Sequence, residues 1–104
     1  MRDIQQDMDI AKNIKLIEWL KLEILDNVSG LFRGFVRGSE SLLSECLANI
    51  VISAYLLAQR IGISFAQLDR RILEKLAQSK ETGHQLEEWY GELSQLEEHF
   101  QNRR

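Results

Sequence analysis

The chain has 104 residues, of which 44% are hydrophobic and 28% are charged, a composition that suits one folded domain and excludes a disordered chain. Its net charge of −3 lacks the basic excess that general binding to nucleic acid or to an anionic membrane requires. The single cysteine, Cys46, excludes an intrachain disulfide framework and suits a reducing compartment. We therefore expect one domain, residues 1–104, located in the cytoplasm.

Neither a signal peptide nor a membrane span is predicted. The first seven residues carry charges and no apolar stretch. The longest nearly apolar stretch, Cys46 to Ala58, is shorter than the roughly 20 residues that a helix needs to cross a bilayer. We expect no membrane partner.

Hydrophobic periodicity predicts an all-α chain. Apolar residues recur every three or four positions from Ile10 to Phe35, and the chain contains no proline. Gly38 is expected to end the first helix, and Ser64 and Gln67 have the spacing of a capping box at the start of the third. The pattern predicts a bundle of four helices, over residues 10–37, 41–61, 64–80 and 83–101.

The second predicted helix is apolar on every side. Fourteen of the twenty residues from Leu42 to Ile61 are apolar. A helix of this kind is expected to be buried all round, and three neighbouring helices of a small chain do not easily cover it. We therefore expect a homodimer or a higher homo-oligomer.

A polar line interrupts this apolar helix. Glu45, Asn49 and Ser53 are spaced four residues apart and share one face, with Cys46 beside them. The first helix carries its own interruptions at Glu23, Asp26, Asn27, Ser29 and Gly30. Two such faces can form a metal site inside a bundle, or they can hydrogen-bond to each other or lie at a subunit contact.

Three stretches resemble segments of the MazG-type family. Residues 24–35 (ILDNVSGLFRGF) are similar to the family segment that carries paired glutamates and a third glutamate on one helix. Residues 45–52 (ECLANIVI), followed by 56–64 (LLAQRIGIS), resemble the segment that carries glutamate-x-x-aspartate. Residues 72–79 (ILEKLAQS) are similar to the family's lysine-bearing helix on the phosphate side.

The resemblance implies an all-α nucleoside triphosphate pyrophosphohydrolase fold that holds magnesium with glutamate-x-x-glutamate and glutamate-x-x-aspartate. Carried over by position, the four ligand positions fall on Asn27, Gly30, Cys46 and Asn49. None of these residues is a carboxylate. The resemblance therefore extends to the fold and not to the metal ligands.

The remaining candidates for a site lie beside those positions. Asp26 and Glu45, with Glu23 one turn away, are the candidate ligands for one weakly held magnesium ion. The Asn49 amide and Lys75, which matches the family lysine, are the candidate substrate-binding residues. No catalytic residue can be assigned. The sequence thus predicts a non-catalytic nucleotide-binding or scaffold protein, with a residual magnesium-dependent pyrophosphohydrolase as the alternative.

A helix-turn-helix is a third possible function. Residues 58–72 (AQRIGISFAQLDRRI) resemble this motif in the positions of Ala58, Gly62 and Leu68. Arg71, however, stands where the motif requires an apolar residue, and the net charge of the chain is acidic. The sequence therefore argues against nucleic acid as a partner.

Overall fold

The chain folds into α-helices joined by short turns. The structure, a computed structural model, describes residues 2–82 and 85–103, with residues 2–7 described by their backbone alone. These residues form five helices and no strand: α1 (Arg2–Arg37), α2 (Glu40–Arg60), α3 (Phe65–Glu81), α4 (Gln85–Tyr90) and α5 (Glu92–Asn102). The predicted all-α class is confirmed. The chain divides into two compact units, Met1–Ile63 and Ser64–Arg104.

The first unit is an antiparallel hairpin of α1 and α2. The turn between them uses Gly38 at a φ of +64°, a left-handed conformation that glycine adopts without steric cost. Ser39 then caps α2, because its side chain accepts a hydrogen bond from the backbone N–H of Leu42 at 3.2 Å. The predicted end of the first helix is therefore confirmed, whereas its start lies at Arg2 rather than at residue 10.

Two glycines of α1 allow α2 to approach closely. A Cβ atom built on Gly30 would lie 2.6 Å from the Cys46 Sγ, and one built on Gly34 would lie 2.8 Å from a methyl carbon of Leu43. Both distances are shorter than van der Waals contact. The two helices therefore pack at a separation that only glycine permits at these positions.

The prediction that α2 is buried all round is wrong within a single chain. Cys46, Ser53 and Ala58 are buried, but several apolar side chains of α2 are about half exposed, Val51 at 53% and Ile52 at 54% among them. Within the described residues, α2 is the one helix whose length and mean hydropathy of 1.6 would suffice to cross a membrane. An apolar helix of a soluble bundle meets the same two criteria.

The second unit contains α3, α4 and α5. The predicted capping box is confirmed at the start of α3, where the Ser64 Oγ accepts from the Gln67 N–H at 3.1 Å and the Gln67 Oε1 accepts from the Ser64 N–H at 2.8 Å. Leu76 of α3 is buried. The Lys80 Nζ lies 2.9 Å from the Glu97 Oε1 and joins α3 to α5.

The predicted fourth helix, residues 83–101, is divided in the structure. Gly91 has a φ of +64° and separates α4 from α5, while residues 83 and 84 lie outside the described part of the chain. Gly91 has no side chain with which to cap α5. The Glu87 carboxylate takes that role, accepting from the Ser94 N–H at 3.2 Å and from the Ser94 hydroxyl.

Candidate functional site

The hairpin brings the four predicted ligand positions together in two facing pairs. In the first pair, the Asn49 Nδ2 donates to the Asn27 Oδ1 at 3.2 Å. The Asn27 Nδ2 in turn donates to the backbone carbonyl of Glu23, one turn earlier in α1, at 2.7 Å. Both asparagines are half-buried. Neutral amides therefore bind each other across the two helices.

The second pair is Gly30 of α1 and Cys46 of α2. The free thiol of Cys46 is buried against the backbone of Gly30, in the space where a larger residue would place its own side chain. This contact holds no hard oxygen donor, which magnesium prefers, and sulfur is a poor ligand for such an ion. The second pair is thus a packing contact.

The candidate carboxylates lie around these pairs. Asp26 and Glu45 are exposed, and Glu23 is half-buried. The described residues contain no group of three or more histidine, cysteine, aspartate or glutamate side chains placed to hold a metal ion. The side chains that the two pairs could offer to a metal ion are two amides and a thiol. They do not match the set of carboxylates that holds magnesium in the family that the sequence resembles.

Lys75, the second candidate substrate-binding residue, belongs to the other compact unit. It lies on α3 beside an open groove of about 370 Å³, which is lined by Arg71, Ile72, Lys75, Leu76 and Ser79. The Arg71 guanidinium forms an exposed ion pair with Glu74 at 3.3 Å. The groove therefore combines an apolar floor with two basic side chains.

A comparison with protein-family models matches residues 10–93 to the MazG-like family. The chain belongs to the MazG-like family. The match covers most of the chain and confirms the predicted family. Neither the search of curated proteins nor the search of solved structures found a match.

The hydrogen bond between Asn27 and Asn49 agrees with one of the alternatives that the sequence left open, in which the polar faces of the first two helices hydrogen-bond to each other. The groove on α3 of this MazG-like chain was not predicted, because Arg71 was assigned only to the possible helix-turn-helix motif. Arg71 and Lys75 are four residues apart, as are Ile72 and Leu76, so these side chains share one face of the helix. This spacing is the signal that could have identified the groove.

Proposed function

We propose that this MazG-like protein is a non-catalytic member of its family that binds a nucleotide or serves as a scaffold in the cytoplasm. One observation supports this proposal most strongly. The four positions that match the family's metal ligands hold a pair of hydrogen-bonded amides, a glycine and a buried thiol in contact with one another. The two amides satisfy each other's hydrogen-bonding groups, and the thiol fills the space beside the glycine. These four residues therefore provide few ligands for a cation.

Electrostatics favours the same proposal. Four carboxylates at the ligand positions would attract a dication, and each missing charge removes on the order of a few kcal/mol at short range and intermediate dielectric. Pyrophosphate release by magnesium enzymes depends on cations that neutralise phosphate oxygens and activate water. Asp26 and Glu45 stay exposed to solvent, where their attraction for a cation is weak.

The groove on α3 is the part of the chain best suited to a nucleotide. Ile72 and Leu76 offer an apolar surface to a base, and Lys75 can offer its ammonium group to a phosphate. Arg71 supplies a second cation if the phosphate displaces its exposed ion pair with Glu74, which costs little. The nucleotide-binding form of the proposal therefore rests on α3.

The second candidate function is a residual magnesium-dependent nucleoside triphosphate pyrophosphohydrolase. It rests on the carboxylates of Asp26 and Glu45, with Glu23 one turn from Asp26 and joined through its carbonyl to the amide pair. One or two carboxylates with substrate phosphates and water can hold a single magnesium ion.

A pyrophosphate-release assay with magnesium or manganese distinguishes the two candidates. We expect no turnover above background from the native protein with any common nucleoside triphosphate. Turnover that is lost in the Asp26→Ala, Glu45→Ala double variant would contradict the non-catalytic proposal. The Asp9→Ala, Glu98→Ala variant, which removes two exposed carboxylates elsewhere, is the matched control.

Calorimetric titration with a nucleotide panel, with and without magnesium, tests the binding part of the same proposal. Binding is expected to weaken in Lys75→Ala and to remain in Arg70→Ala, since Arg70 lies on α3 but does not line the groove. Equal affinities of the two variants would show that the groove is not the site. If no nucleotide produces a measurable heat of binding, only the scaffold form of the proposal remains.

A further inference from the structure

The helical backbone between α4 and α5 is interrupted at one residue, Gly91. This glycine has a φ of +64° and a ψ of 22°, in the left-handed region. Its N–H still donates to the Glu87 carbonyl at 3.2 Å, and its own carbonyl accepts from the Gln95 N–H at 3.1 Å. Both are bonds that a continuous α-helix makes at this position. The backbone conformation of Gly91 is therefore what separates α4 from α5.

Two side chains bind backbone groups that would otherwise bind each other. In a continuous helix, the Ser94 N–H donates to the Tyr90 carbonyl, four residues earlier. In the structure, the Ser94 N–H donates to the Glu87 carboxylate at 3.2 Å, and the Gln95 Nε2 donates to the Tyr90 carbonyl at 3.4 Å. The donor and the acceptor of one helical hydrogen bond are thus each satisfied by a side chain, which stabilises the interruption.

The apolar pattern of the same segment is that of a single helix. Five apolar residues lie within about 80° of one another on a helix that continues through Gly91. They are Leu86, Trp89, Leu93, Leu96 and Phe100. In the interrupted form, Trp89 is 65% exposed and Leu96 is 44% exposed. The side-chain pattern therefore favours a continuous helix, whereas the hydrogen bonds at the interruption favour two helices.

The bonds to Glu87 and a continuous helix exclude each other. Seven residues of α-helix would place Glu87 and Ser94 about 10.5 Å apart along the axis, too far for the Ser94 hydroxyl to donate to the carboxylate. The charged groups beside Glu87 also belong to the interrupted form. Lys80 of α3 attracts the Glu87 carboxylate and forms an ion pair with Glu97 of α5 at 2.9 Å.

We propose that Gly91 is a hinge between two states: the interrupted form of the structure and a continuous helix from Gln85 to Asn102. The ionised Glu87 holds the interrupted form, because its carboxylate can bind Ser94 in that state alone. Loss of this charge favours the continuous helix. The change redirects α4 relative to α5, and with it the edge-to-face rings of Trp89 and Tyr90. This inference is independent of nucleotide binding.

Two glycine-to-alanine variants test the hinge. Gly91 and Gly38 share a φ of +64°, and a Cβ added to either meets no atom of the described residues within 4 Å. Both substitutions therefore introduce the same backbone strain without a clash. Gly91→Ala is expected to relieve this strain by adopting the right-handed conformation, which shifts the hinge toward the continuous helix roughly tenfold or more. Gly38→Ala cannot do so, because α1 packs antiparallel to α2.

Amide hydrogen exchange, followed by NMR, reports on the two states. In a continuous helix the Glu92 N–H donates to the Glu88 carbonyl. We expect this N–H to exchange at least about tenfold more slowly in Gly91→Ala than in the native chain. Glu87→Gln, which keeps Gly91, is expected to slow the same exchange, whereas Glu88→Gln is the control and should not. In urea denaturation, Gly91→Ala is expected to lose less stability than Gly38→Ala.

Two results would overturn the proposal. Native exchange of the Glu92 N–H in Gly91→Ala, together with a loss of stability as large as that of Gly38→Ala, would show that the segment has no continuous state. Equal exchange in Glu87→Gln and Glu88→Gln would show that the Glu87 carboxylate does not control the hinge. The second comparison holds even if Gly91→Ala does not fold.

Discussion

At the scale of single residues, the contact of Gly30 with Cys46 fixes how closely the two long helices approach. The space that a side chain would occupy on α1 is filled from α2 by a thiol. Such a contact is sensitive to added volume because packed interiors leave no room for one more methyl group. The stability of the hairpin therefore depends on the combined size of the two residues.

Gly30→Ala is expected to destabilise the protein by up to about 2 kcal/mol. Its new methyl group would lie 2.6 Å from the Cys46 Sγ, and overpacking of this kind costs about 1–3 kcal/mol, offset by roughly 1 kcal/mol of improved helix propensity. Urea denaturation of the single variants and of Gly30→Ala, Cys46→Ala measures the effect.

The double variant provides the decisive comparison. Removing the Cys46 sulfur makes room for the methyl group, so the double variant is expected to be more stable than the sum of the single effects indicates. Ala48→Gly, at an exposed position of α2, calibrates the helix-propensity term. Simple additivity of the two single changes would contradict the close contact.

The site was predictable only in part at this scale. The resemblance to the family located Asn27 and Asn49 as a matched pair of positions, but the hydrogen bond between them depends on the register of α1 against α2. That register is set by the close approaches at Gly30 and Gly34, which arise from three-dimensional packing and not from a local pattern.

At the scale of the elements, Glu87 links α4 to α5. Hydrogen bonding from the Ser94 hydroxyl, supported by the Ser94 N–H and by Lys80, lowers the pKa of the Glu87 carboxyl below its ordinary value. A lowered pKa in the folded state means that the ionised form stabilises the fold. That stabilisation is complete above the ordinary glutamate pKa, about 4.3, and is lost as the pH falls through the lowered pKa of the folded state.

Glu87→Gln is expected to reduce stability near neutral pH and to flatten its decline in acid. Thermal unfolding between about pH 3 and pH 7, followed by circular dichroism, measures both effects. Glu88→Gln, which changes the neighbouring exposed carboxylate, is the control and should keep the native pH dependence. An unchanged profile in Glu87→Gln would show that the carboxylate does not cap α5 in solution.

Helix ends with local signals were predicted, and the break at Gly91 was not. Ser64 and Gln67 are three residues apart, so their reciprocal capping can be identified from sequence. The apolar residues from Leu86 to Leu96 keep helical spacing across Gly91, so the periodicity gives no sign that the helix is interrupted there. The start of α5 is capped by hydrogen bonds from Ser94 to the Glu87 carboxylate. These two residues are seven positions apart, a spacing that does not belong to a known capping motif.

At the scale of the whole molecule, charge decides which large partners the chain can attract. The net charge is −3, and Arg71 is paired with Glu74. Binding to DNA gains most of its affinity from cations that displace the counterions of phosphates.

We therefore expect no salt-sensitive, sequence-specific binding to duplex DNA. Gel-shift titration of the native chain at low and moderate salt measures this, with Glu74→Lys as a comparison that releases Arg71 and adds positive charge. Nanomolar binding of the native chain that weakens steeply with salt would reverse the conclusion and support the helix-turn-helix interpretation of residues 58–72.

The amide pair of Asn27 and Asn49 has a consequence for how the hairpin folds. Carboxylates at facing positions would repel each other until a cation arrived, so that folding would be coupled to the supply of the ion. Two amides attract each other directly and carry no charge to neutralise. We therefore expect α1 and α2 to pack together equally well in the presence of a strong chelator of divalent ions. Folding of the hairpin is then independent of the concentration of these ions.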